Sequence, residues 1–114
     1  MHLSATEREH LRLGMRTYLE STEVVVEALA GGKLAEVAAS ARKSGSAALR
    51  DTSPGTALQM PAGFLLLATD THRRFDELAS AASAGASRRD IGRQLRDILA
   101  NCTACHASYR IAPE

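Results

Sequence analysis

The sequence predicts an all-α protein, an antiparallel four-helix bundle spanning 1–114 as a single domain. Three observations predict it. Apolar residues recur at steps of three and four along four separate segments, the spacing of one helix face packed against others. Capping residues, glycines and prolines punctuate those segments, and the short connections they leave make neighbouring helices antiparallel. No stretch alternates as a strand would, and nothing repeats at solenoid spacing.

The first helix opens at "SATE", Ser4–Glu7, a capping box in which hydroxyl and carboxylate each satisfy the other's amide. Its stripe runs Leu11, Met15, Tyr18, Thr22, Val25, Leu29, and Gly31–Gly32 ends it. The second helix carries Leu34, Val37, Ala41 and Ala48 on its face, with Gly45 inside it as a weak point. "DTSPGTALQMP" then reads as the one real loop, turning at Pro54-Gly55. Pro61 suits the first position of a third helix, whose stripe is Phe64, Leu67, Thr71, Phe75, Leu78, Ala82 and which stops at Gly85. "SRRD", Ser87–Asp90, reads as a second capping box with Asp in the Glu role. The fourth helix runs to about Arg110 with the stripe Ile91, Leu95, Ile98, Cys102, Cys105, Tyr109.

Composition narrows the function. Fourteen basic against thirteen acidic side chains give a formal charge of +1, so no basic face for nucleic acid is expected. No stretch approaches the roughly 20 apolar residues of a membrane span. "MHLSATEREH" lacks the layout of a secretory signal, so the chain is expected to be either cytoplasmic or shorn of its leader. No nucleophile–base pair, carboxylate pair or phosphate loop stands out, and no enzyme is expected. Glu20, Glu23 and Glu27 read as a solvated helix face. The core is unusual: 45% of residues are apolar, yet alanine dominates them, aromatics are 4% and tryptophan is absent. Either the helices approach very closely or something other than side chains fills the middle.

Both cysteines stand in "NCTACHASYR". Cys102 and Cys105 fall on the core stripe of the fourth helix, with His106 one turn beyond Cys102. Cys-x-x-Cys-His is the attachment run of c-type haem, two thioethers to the vinyl groups and an imidazole on the iron. Three other readings compete. A redox dithiol belongs at a helix N-terminus, where the dipole lowers the thiol pKa, and this pair is near a C-terminus. A structural zinc would need a further ligand from His2, His10 or His72, none at zinc spacing. Two plain core cysteines would not require His106. A haem also answers the composition, since a porphyrin is the large flat apolar body that the core lacks.

On "LRLGM", "HRRFDELASAASAG" and "CTACHASYR" the chain resembles the cytochrome c′ family over nearly its whole length. The resemblance implies a periplasmic monohaem protein with a trimmed leader, often a homodimer through its first two helices. It also implies that the group facing His106 across the iron comes from the first helix. A methionine there gives a six-coordinate electron carrier; a bulky apolar residue gives a five-coordinate protein that binds nitric oxide or carbon monoxide. Aligned on "LRxG", that position falls at Met15 or at Arg16, and the core stripe selects Met15. Met60, His72 and His10 are the remaining candidates for a second ligand. By the same resemblance Arg12 suits a haem propionate, because a guanidinium fork matches a carboxylate.

The expectation is therefore a haem c protein that exchanges one electron with a redox partner protein, with iron ligands His106 and Met15. The alternatives are a five-coordinate gas-binding cytochrome c′ and a haem-free helical bundle whose thiols are structural or metal-binding.

Overall fold

The computed structural model describes residues 1–113, the side chain of residue 51 apart. It is all-helical, with no strand among the described residues. Among the described residues five α-helices follow one another: α1 (Ala5–Ala30), α2 (Leu34–Arg42), α3 (Pro54–Leu58), α4 (Ala62–Ser83) and α5 (Arg88–Ser108), with a 3-10 segment at Ser46–Asp51 between α2 and α3. α2 packs against α1 and α4, and α4 packs against α5, whereas α1 and α5 touch only sparsely.

The caps explain most boundaries. At Ser4 both halves of the capping box form, Glu7 N–H to the Ser4 hydroxyl and Ser4 N–H to the Glu7 carboxylate. At Ser87 only the hydroxyl half forms, accepting from Asp90 N–H at 3.1 Å. An aspartate is one methylene shorter than the glutamate the box prefers. Gly32 and Gly85 take positive φ, 72° and 79°, where α1 and α4 turn into their successors.

Four expectations need correction. The second helix does not continue through Gly45 to Ala48 but stops at Arg42. Gly45 is extended (φ −75°, ψ −173°), and its missing side chain admits the Asp76 carboxylate, which accepts Ser46 N–H at 2.9 Å and starts the 3-10 segment. Alanine at Gly45 would push its Cβ into Asp76. Gly45→Ala should lose that bond and about 1–3 kcal/mol of stability, measured by urea denaturation. The loop after Asp51 also holds a short helix, α3, because Ser53 caps it by accepting from Thr56 N–H and Pro54 takes its first turn. Pro61 is the N-cap of α4 and not its first residue, and α5 ends at Ser108, where the chain turns extended at Tyr109.

The packed core occupies one half of the molecule. Val25 and Ala28 of α1, Val37, Ala38 and Ala41 of α2, Phe75, Leu78, Ala79 and Ala82 of α4, and Ile91, Leu95 and Ile98 of α5 form one buried cluster. Each large side chain among them contributes roughly 1.5–3 kcal/mol by leaving water. Small residues let α1 and α2 close up. Ser21 and Ser44 hydroxyls meet at 2.7 Å, and the Ser40 hydroxyl donates to the Ser21 carbonyl at 3.2 Å. The N-terminal half of α1 and the C-terminal half of α5 contribute nothing to this cluster. That other half is closed below by the tail, where the Met1 ammonium donates to the Arg110 carbonyl at 2.9 Å and Ala112 N–H to the Met1 carbonyl at 2.7 Å. Tyr109 packs edge-on to the buried Phe64, its hydroxyl against Gly63, where any side chain would collide with it.

Candidate functional site

Where the core stops, an apolar cleft of about 430 Å³ begins. Its walls come from the N-terminal half of α1 (Leu11, Met15, Tyr18), the 3-10 segment (Ala48, Leu49), the approach to α4 (Met60) and the first half of α4 (Phe64, Ala68, His72). Such a volume lies within the range of small-molecule and cofactor sites, about 300–1,000 Å³. The expected stripe residue Met15 is half-buried on this lining. His10, Met60 and His72 line it too, so all the weighed second ligands converge on one space. Arg12 does not: it is exposed and faces Glu9 at 4.0 Å. Among the described residues Lys43 is the only lysine or arginine on the lining.

Cys102 and Cys105 are free and half-buried on α5, and His106 is exposed one turn beyond Cys102. The thiols are not part of the cleft lining. They adjoin it across one ring: Tyr18 lies on the lining, and its hydroxyl is pushed well above the ordinary range by burial and then by the neighbouring Cys102 and Cys105. Burial likewise pushes both thiols up. Both thiols thus favour the protonated form, and a helix C-terminus adds to that preference. Among the described residues no three His, Cys, Asp or Glu side chains gather as a metal site. A haem iron needs no such gathering, because the porphyrin supplies its in-plane ligands.

Two polar clusters frame the thiols. Asp70 on α4 accepts from Arg74 (2.6 Å), Asn101 (2.8 Å) and Arg73, and these donors hold its carboxyl well below the usual carboxylate range. Asn101 also reaches the Thr71 hydroxyl at 3.3 Å, so the residue before Cys102 is tied to α4 and fixes which face α5 presents. The second cluster is at the roof of the cleft. The Ser44 carbonyl can only accept, so His72 Nδ1 carries a proton and donates to it at 2.8 Å. His72 Nε2 therefore accepts from the Tyr18 hydroxyl at 2.7 Å, and Tyr18 stacks on Phe75 at 5.7 Å. The motif was legible in the sequence; this pairing of α1 with α4 was not, although His72 stands next to the Thr71 stripe position.

Burial pushes His72 below its ordinary value, while the Ser44 and Gly45 carbonyls and Asp76 draw it partly back. A depressed value means that the unfolded chain binds the proton more readily. The stability gained from neutral His72 is then full above about pH 6.5 and is lost as pH falls from there through the folded-state value. Melting temperature should drop on acidification below that point in the wild type and drop less in His72→Gln, followed by circular dichroism.

The cleft offers apolar walls with thioether and imidazole groups and, among the described residues, one lysine, while Cys102, Cys105 and His106 lie off its lining. Compared with known proteins, the chain matches no family model, no curated protein and no solved structure.

Proposed function

We propose that the chain is a monohaem c-type cytochrome that carries one electron, built on an antiparallel four-helix bundle. In it α2, the 3-10 segment and α3 together make the second rod beside α1, α4 and α5. The observation that carries the reading is the Cys-x-x-Cys-His run, which sets two half-buried, protonated thiols beside an apolar cleft where the core is missing. When bound, the haem supplies a one-electron couple.

The chain's own residues do the rest. Cys102 and Cys105 would hold the ring by thioether bonds. His106, to which no side chain among the described residues is hydrogen-bonded, would give its imidazole to the iron. Met15 gives a thioether from the α1 wall, which raises the potential. Leu11, Phe64 and Ala68 keep water from the ring. Lys43 on the cleft, or the solvent-facing Arg12, would meet a propionate. In this reading the protein works in the periplasm with a redox partner protein. Exposed Leu19 and Val26, seven residues apart on one face of α1, are in keeping with a homodimer through the first two helices.

The cleft itself supports a second reading. With Met15 packed as wall and not bound to the iron, the same space would admit nitric oxide or carbon monoxide. Absorption spectra of the haem-loaded protein, oxidised and reduced, separate the two. The carrier gives a low-spin spectrum with a weak near-infrared sulfur-to-iron band that Met15→Ala abolishes. A high-spin spectrum that shifts at once with added gas would overturn Met15 ligation and leave the gas-binding reading.

A further inference from the structure

α5 is one helix by geometry and two by packing. Its first half sends Ile91, Leu95 and Ile98 into the buried cluster, whereas no described residue beyond Ile98 is buried. That second half, residues 99–108, is the part that carries Cys102, Cys105 and His106. Its own sequence holds a helix poorly. Asn101, Cys102, Thr103, Cys105, His106 and Ser108 all rank low as helix formers, and a helix shorter than about 12–15 residues is marginal in water. This half is helical because of what it is tied to.

The ties stand at its two ends. At the start, the Asn101 side chain donates to the Asp70 carboxylate at 2.8 Å and to the Thr71 hydroxyl at 3.3 Å. Past the end, Tyr109 stands edge-on to Phe64 with ring centroids 5.7 Å apart, and Ala112 accepts from Arg8 and donates to the Met1 carbonyl at 2.7 Å. Between these ties the thiols are half-buried near Tyr18, and His106 is exposed. All three lie off the cleft lining, so a rigid ring joined to both sulfurs must be seated against this segment itself.

We propose that residues 99–112 are a strap that comes off the bundle as one unit, pivoting after Ile98 while the core stays folded, and that the open strap presents both thiols and His106 to the haem. The occupant rests on the cytochrome reading; the opening does not, because it follows from where burial stops along α5. Opening breaks the ties at Asn101 and Tyr109 and leaves the buried cluster intact, so it requires less free energy than global unfolding. Once undocked, the strap loses its helix, and its amides exchange with solvent together. Closure over a bound group restores the same ties and seats the attachment run against α4.

The test is amide hydrogen exchange of the full chain, made with and without haem, at zero and low urea. Alkylation of Cys102 and Cys105 is timed in the haem-free form. In haem-free wild type, amides 101–109 should share one protection at least about tenfold below that of 93–98, with little urea dependence, because little surface is exposed. Asp70→Ala and Tyr109→Ala, each cutting one tie, should speed exchange at 101–109 and alkylation of both thiols about tenfold and leave 93–98 unchanged. Leu95→Ala, which weakens the core, should do the reverse. Bound haem should slow exchange at 101–109. Protection that rises smoothly inward from the C-terminus, one rate for both halves of α5, or fast exchange along the whole chain overturns the strap. Alkylation no faster in the two tie variants than in wild type overturns its role in access. A strap that opens as described in a chain that takes up no haem overturns the cytochrome reading instead.

Discussion

Replacing both Cys102 and Cys105 by alanine is expected to abolish covalent haem entirely while leaving helical content unchanged. The thiols are half-buried, make no disulfide and sit outside the buried cluster, so their removal costs the core nothing. α5 keeps its N-terminal anchor of Ile91, Leu95 and Ile98 and its tie from Asn101 to Asp70. The measurement is haem retention after acid–acetone extraction, beside far-ultraviolet circular dichroism. Each single variant should retain haem through one thioether, less firmly than wild type. Haem that resisted extraction in the double variant would show that the ring is held elsewhere.

Phe75→Ala is expected to have the largest effect on stability, about 3–5 kcal/mol. Phe75 is fully buried, belongs to the main cluster and carries Tyr18 on its face. It is therefore the plate between the packed half of the molecule and the cleft. Removing it leaves a void beneath Tyr18 and loosens the hydrogen bond from that ring to His72. Chemical denaturation measures the loss. A change below about 1 kcal/mol would mean that the cluster repacks around the gap, and that the two halves are less distinct than the burial indicates.

The helices could be read from the sequence because their causes are local. Ser4 and Ser87 cap where their hydroxyls fall beside a free amide, and the stripes through Val25, Phe75 and Ile98 are the buried ones. The break at Gly45 was not legible, since its cause is Asp76, thirty-one residues further along the chain. α3 was missed for a different reason. Ser-Pro followed by glycine favours a turn and a helix start about equally, and only the packing of Ala57 and Met60 against the cleft decides between them. Of the candidate site, Met15 emerged on the cleft where its stripe position put it, whereas Arg12, carried by resemblance alone, faces solvent. Lys43 could not have been chosen from sequence, because α2 ends just before it only through the break at Gly45. The Tyr18–His72 bond joins helices fifty-four residues apart, and no spacing rule reaches that far.

The central claim, that this chain holds a covalent haem, is tested most directly by intact mass spectrometry of the denatured protein after production alongside haem-attachment machinery. The account predicts the chain mass plus one haem, with neither cysteine open to alkylation. A chain at its unmodified mass, with both thiols alkylated, would contradict it.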